Sequence, residues 1–439
     1  MNILYNDYII SKINYYLSRN NDIKYIMNED NLINDIINIV LFSIEFLYYY
    51  IINNNDIILE LIYDDIDTEL FNINHENLYE NFIANSFINN LYNINNELCE
   101  EIILVCNKVS LDMFYKYIMP KRSYKKTYIT DISNKEKLKN TIQNLKLVKQ
   151  PDQRTDEWYT FRNSVLTASN IYKIFQSQSS QSQLIIEKSE PLDLTKFQNI
   201  NILSPMHWGQ KYEPVSIMYY EWLNKTKVDE FGCIQHTEYR FLAASPDGII
   251  CDPSSTIFGR MLEIKNVVSR EINGIPKMEY WIQMQLQMEV CNLNECDFLE
   301  TKFIEYQDEN EFISDNNSNK YKGIIAHFII ENKPYYEYSC FNLNEPQLIE
   351  WTNLIMDNEK QDNKELVRFI YWKLEKISLV LVLRNKLWFS SVLPYINNFW
   401  DILCSERENG TYKLRKKEKF KKTKLNPVHE LGNLCLINL

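Results

Sequence analysis

Glycine is scarce in this chain, at 8 of 439 residues. No G-x-G-x-x-G and no G-x-x-x-x-G-K-[ST] occurs, which argues against the glycine loops that cradle dinucleotides or nucleoside triphosphates. The nine cysteines are odd in number and scattered, and none forms C-x-x-C. The nearest pair, Cys291 and Cys296, has no second His/Cys pair beside it at zinc-ligand spacing. Reduced thiols are therefore expected rather than a disulfide frame or a zinc site. Long apolar runs are also missing. The most apolar stretch, Ile37 to Ile52, contains Asn38, Ser43 and Glu45 and falls short of the roughly 20 residues a membrane span needs. The start, MNILYNDYII, lacks the basic and apolar regions of a signal peptide. A soluble intracellular protein is expected.

The charge is unevenly spread. The chain carries a net −12. Residues 1–100 hold 16 Asp/Glu against 3 Lys/Arg, so the other 339 are close to neutral. Two basic runs stand out, Lys116 to Lys149 and Lys413 to Lys424. Such runs neutralise phosphates and release counterions, although a solvated tail reads the same way. The first hundred residues are dominated by 22 Asn and 21 Ile, a bias that an AT-rich genome explains without any functional appeal.

Periodicity divides the chain into parts. Ile33, Ile36, Ile37, Val40, Leu41, Ile44 and Leu47 recur at helical spacing, so residues 1–118 read as an acidic, mainly helical domain. Residues 119–150 read as a basic linker. From 151 to 340 helix and strand patterns alternate. Helices are expected at Asp156–Asn163, Trp208–Leu223 and Glu279–Val290. Strands are expected at Gly232–His236, Phe241–Ala244, Gly248–Cys251, Arg260–Lys265, Phe298–Tyr306 and Tyr321–Ile330. Thr167-Ala168-Ser169 reads as a helix cap, and the Ser/Gln-rich Gln176–Lys196 as a surface loop. From Glu345 onward, within a C-terminal region 341–439, helices ending in a basic tail are expected.

Chemistry concentrates at Ser245-Pro246-Asp247-Gly248 and, fourteen residues later, Leu262-Glu263-Ile264-Lys265. Glu263 and Lys265 are two apart on a strand and share a face. Asp247, at a turn between strands, meets Glu263 across a hairpin. Two carboxylates held close repel unless a cation lies between them, and oxygen-only ligands favour Mg²⁺ or Mn²⁺. Taken alone, the same spacing also fits a surface ion pair.

Five ordered blocks decide between these readings. They are Trp158-Tyr159-Thr160-Phe161-Arg162 with Leu166-Thr167-Ala168-Ser169; Trp208-Gly209-Gln210-Lys211-Tyr212-Glu213; Ser245-Pro246-Asp247-Gly248; Glu263-Ile264-Lys265; and Tyr280-Trp281-Ile282-Gln283-Met284-Gln285-Leu286-Gln287-Met288. Together they resemble the lambda-exonuclease-type, YqaJ-like viral recombinase branch of the PD-(D/E)XK nucleases, over residues 150–310. The resemblance implies an α/β fold of the restriction-endonuclease-like kind, with a mixed central sheet flanked by helices.

The resemblance also assigns roles. Asp247 and Glu263 become metal ligands together with the Ile264 carbonyl, and Glu213 reaches a second ion or its water. Lys265 positions the attacking water, and Gln283 supports Lys265 and the scissile phosphate. Arg162, Ser169 and Ser245 hold a 5′-terminal phosphate. The cofactor implied is Mg²⁺, replaceable by Mn²⁺, with two ions per site. Duplex DNA ends are the substrate and a single-strand annealing protein is a partner. The family's trimer rests on surfaces outside the motifs. The implied activity is 5′→3′ exonuclease action in the recombination or replication of a large AT-rich DNA virus, in host cytoplasm or a viral factory. An endonuclease or end-trimming enzyme on the same core, and a non-catalytic DNA-binding scaffold, stand as alternatives. His207, beside Trp208, is expected to be structural, and so is Gln285.

Overall fold

The computed structural model describes residues 122–124, 135–197, 201–315, 321–330, 333–359 and 364–418. The helical domain expected at 1–118, most of the basic segment 116–134 and Lys419 to Lys424 lie outside them. The described elements run in chain order α1 (Lys135–Leu147), α2 (Asp156–Ser164), β1 (Leu166–Thr167), α3 (Gln178–Ser189), α4 (Pro205–Asn224), β2 (Ile234–Gln235), β3 (Leu242–Ala244), β4 (Gly248–Ile249) and β5 (Met261–Asn266). They continue with α5 (Met278–Cys291), β6 (Glu295–Glu305), α6 (Glu309–Ser314), β7 (Lys322–Ile330), β8 (Lys333–Tyr338), α7 (Glu345–Glu359), β9 (Glu365–Leu383), α8 (Lys386–Asn409) and α9 (Tyr412–Glu418).

Two sheets form. The small one has the order β1-β3-β2 and the large one β4-β5-β6-β9-β7-β8. In the large sheet β5 and β6 are parallel, and α5 makes the crossover between them. Every other neighbouring pair is antiparallel. Alternation along β5 gives the sheet two different faces. Leu262 and Ile264 pack into a core with Tyr212, Val215, Tyr219 and Tyr220 of α4. Glu263 and Lys265 turn to the other face, toward α5. The architecture is thus a mixed sheet between helices, as expected.

Three local expectations are corrected. Residues 345 onward are not all helical: between α7 and α8 lies β9, the longest strand among the described residues, and it fills the middle of the sheet. Its sequence, ELVRFIYWKLEKISLVLVL, has no Gly or Pro and is rich in β-branched and aromatic residues. The sheet therefore crosses the boundary placed at 340. The stretch Gln176–Lys196 is not a plain surface loop, because it contains α3. The Ser177 hydroxyl caps that helix by accepting from the Ser180 N–H at 3.4 Å, and Leu184 and Ile185 bury its far half. Thr167-Ala168-Ser169 does not cap a helix. Thr167 ends β1 in parallel pairing with β3, and its N–H donates to the Asn170 side chain at 3.0 Å. Strand β8 had no foreseen counterpart.

One glycine shows how tight the sheet is. A Cβ on Gly323 would lie 2.3 Å from the ring of Trp372, which is 1% exposed beneath it. Only glycine lets β7 pass over that indole.

Candidate active site

The hairpin β4–β5 places the acidic residues. Gly248 pairs with Leu262, so the Asp247 turn stands opposite Glu263. The Asp247 carboxylate accepts from the Ile264 N–H at 2.7 Å. Gly248 must follow it, because a Cβ there would lie 2.0 Å from a Val228 methyl. Glu263 is fully buried. One of its oxygens accepts from Lys265 Nζ and from Gln283 Nε2 at 2.8 Å. The other accepts from Gln287 Nε2 at 2.7 Å. Gln283 and Gln287 are four apart, one turn of α5, so both reach the same carboxylate. Gln285 points elsewhere: its side chain bridges the Leu383 carbonyl and the Asn385 N–H, at 2.9 and 2.6 Å.

Glu213 arrives from α4. That helix starts at Ser204, whose hydroxyl accepts from the His207 N–H at 3.1 Å, with Pro205 in its first turn. Pro214 then removes one ladder donor directly after Glu213. The carbonyls on either side of the one left without a donor are tied from outside the helix: Asn266 Nδ2 donates to the Gly209 carbonyl at 2.7 Å and the Tyr338 hydroxyl to the Lys211 carbonyl at 2.9 Å. Glu213 itself accepts from Arg154 Nη2 at 2.8 Å.

The electrostatics fit a site short of positive charge. Burial pushes the Asp247 carboxyl well above the usual range, and the nearby Glu263 and Glu213 charges push it further. Burial raises Glu213 too, against the pull of Arg154. Burial works to discharge Lys265, but the Glu263 and Asp247 carboxylates outweigh it and raise its pKa. The Lys265 ammonium also lies 5.0 Å from the Tyr280 ring centre. The donor set around Asp247, Glu263 and Glu213 is all oxygen, and its mutual repulsion is what a hard divalent cation relieves. Even so, among the described residues no three His, Cys, Asp or Glu side chains close on a common point. Glu213 is turned to Arg154, and both Glu263 oxygens are occupied.

A second cluster adjoins the first. The Arg162 guanidinium donates to Ser169 Oγ at 2.7 Å and to Ser245 Oγ at 3.4 Å. It stacks 4.2 Å from the Trp158 ring centre, and the Trp158 indole N–H reaches Ser245 Oγ at 3.3 Å. Ser245 is only two residues from Asp247, and its carbonyl accepts from Gln287 at 3.3 Å. The hydroxyls and the guanidinium together make a compact set of donors, of the chemical kind that suits an anion.

All the nominated side chains thus fall into two adjoining groups. Sequence reasoning overlooked Gln287, although its spacing from Gln283 was a usable signal. It also overlooked Arg154, which carried none. His207 is buried against the Tyr336 hydroxyl, 2.6 Å from its Nε2, away from both groups. The described cysteines are all free.

Residues 157–294 match the family model described as the YqaJ-like viral recombinase domain. The match spans 138 of the 439 residues, about a third of the chain. Every nominated side chain lies inside the recombinase match, whereas β6, β7, β8 and β9 lie outside it. An uncharacterized protein, R354, of Acanthamoeba polyphaga mimivirus is 28% identical over 349 residues. The alignment takes in 70% of this chain and 61% of that protein's length. Solved structures of an alkaline exonuclease, LHK-Exo, from Laribacter hongkongensis, one in complex with dAMP, align at 21% identity with a TM-score of 0.34. That alignment covers 61% of this chain and all of theirs. No helix among the described residues is long and apolar enough to cross a membrane.

Proposed function

We propose that the protein is a divalent-cation-dependent deoxyribonuclease that resects duplex DNA ends from the 5′ side. One observation carries this reading: an acidic, oxygen-only cluster and an anion-binding cluster share the Ser245–Asp247 turn. An enzyme that starts from a strand end needs both, one to hold the terminal phosphate and one to cut. The recombinase-domain match supports the same class of substrate.

In this reading Asp247, Glu263, Glu213 and the Ile264 carbonyl hold Mg²⁺ or Mn²⁺. When bound, the cation supplies charge neutralisation at the phosphate and a lowered pKa for water. Lys265 stays protonated and orients the attacking water or shares the phosphate charge. Gln283 and Gln287 fix the Glu263 carboxylate from two sides, so that it cannot rotate away. Arg162, Ser169 and Ser245 take the 5′-phosphate, with the Trp158 ring backing the guanidinium. Resection leaves 3′ single strands, the substrate of a strand-annealing partner in recombination.

A linear duplex with one 5′ end phosphorylated and the other hydroxylated tests the reading. Mg²⁺-dependent loss of the phosphorylated strand from its 5′ end is expected. EDTA should abolish the loss, and Glu263→Ala should slow it by about 10³-fold or more. Internal nicks in a closed circle would replace the reading with an endonuclease. Binding without any cleavage would replace it with a scaffold.

A further inference from the structure

Arg154 is out of place by backbone rules. Its φ is +67°, in the left-handed region that favours glycine. Three other non-glycine residues share the sign. Lys225 and Asn292 cap the ends of α4 and α5, where this conformation is routine, and Asn342 is of a type that tolerates it. Arg154 is neither a helix cap nor an asparagine. It lies one residue before Thr155, the cap of α2, in a turn that the chain pins firmly. The Thr155 hydroxyl donates to the Asp152 carbonyl at 2.7 Å. Gln153 Nε2 donates to the carbonyls of Phe231 and Pro246, at 2.9 and 3.3 Å. Pro246 stands between Ser245 and Asp247. The turn that bears Arg154 is therefore tied to the same loop that bears the acidic site.

The pinned turn delivers one contact, the ion pair from Arg154 Nη2 to Glu213 at 2.8 Å. It is partly open to solvent, with side-chain exposures of 48% and 26%. The contact spends the carboxylate that would complete an oxygen cage with Asp247 and Glu263, and among the described residues no such cage is closed.

We infer that Arg154 is a latch, a positioning residue that holds Glu213 off the cation site and releases it as a divalent cation enters. The inference rests on the cation-dependent reading above. A guanidinium and a divalent cation compete for the same carboxylate oxygens, so whichever binds displaces the other. The latch leaves an acidic centre compensated while no cation is bound, and it frees a guanidinium at the moment the site fills.

Mn²⁺ binding to the full chain, followed by calorimetry at fixed pH, tests the latch without relying on cleavage. Arg154→Gly suits the backbone and removes the competitor. Arg154→Gln removes the charge and keeps the strain. Both should bind Mn²⁺ roughly threefold to fivefold more tightly than wild type, the effect expected for losing a partly exposed pair. In a Glu213→Gln background Arg154→Gly should add nothing, which a merely structural role would not produce. An affinity equal to or below wild type in either single variant overturns the latch and leaves the cation site standing. Absence of Mn²⁺ binding in wild type and both variants overturns the cation-dependent reading itself, and the latch with it.

Discussion

Residues 157–294 and residues 365–418 serve one sheet in opposite ways. The first segment supplies every nominated side chain but only the β4–β5 side of the large sheet. The second supplies no nominated residue, yet β9 joins β6 to β7 and closes the sheet. It also braces the helix behind Glu263. The Leu383 carbonyl and the Asn385 N–H clamp Gln285, and Arg384 donates to Glu289 at 2.8 Å. The nominated side chains are written in short blocks, because groups proposed to hold a cation or a phosphate must be of fixed type. Support is written in pairing, which many β-forming sequences satisfy.

Deleting the support should have the largest effect. A chain ending at residue 340 keeps all five motif blocks but leaves β6 and β7 with bare facing edges. It should yield no soluble folded protein, judged by circular dichroism and size-exclusion chromatography. A folded truncated protein would mean that the motif-bearing segment is self-sufficient.

Trp372→Ala sharpens the comparison at one residue. The indole is buried between Phe303, at 5.4 Å between ring centres, and the Gly323 backbone. Its loss should cost about 3–5 kcal/mol in denaturant unfolding. Mn²⁺ affinity in the surviving folded fraction should stay near wild type, since the ring packs in the core on the face of β5 opposite Glu263 and Lys265.

Lys188 marks the seam between the segments and gives the smallest effect. The residue is 5% exposed and its ammonium donates to the Arg162 carbonyl, while Arg407 of α8 donates to the Lys188 carbonyl at 2.8 Å. Burial lowers its pKa from 10.5 to about 7, with the Glu187 charge opposing and the Arg162 charge assisting. Between those two pH values the unfolded chain holds more protons than the folded one. Stability therefore rises with pH across that window, and the cost is full below pH 7. Lys188→Met should be more stable than wild type at pH 7, by on the order of 2 kcal/mol. The gain should fade by pH 10 in melting curves. A gain independent of pH would place the effect in packing alone.

The same contrast explains what was legible in the sequence. Asp247, Glu263 and Lys265 were readable because a two-residue period and a turn bring them together locally. Arg162, Ser169 and Ser245 were readable only through the ordered blocks, since nothing local links a helix, a strand end and a distant loop. Helix α3 was hidden by the Ser/Gln tract in its exposed half, and β9 by apolar residues that fit either period. Arg154 left no trace, because its role depends on a turn whose shape is set by Phe231 and Pro246, far along the chain. The Asn-rich N-terminal segment gave a pattern but lies outside the described residues.

The place of β9 in the chain has a consequence for synthesis. The ribosome delivers β5, β6, β7 and β8 before the strand that belongs between β6 and β7. Until residue 383 has emerged, Glu295 has no partner in Leu383 and Gln285 has no clamp. A nascent chain that stops short of β9 thus carries all the nominated residues and no frame to align them. Assembly of the sheet waits on β9, and the clamp on Gln285 forms only once that strand and Asn385 are available.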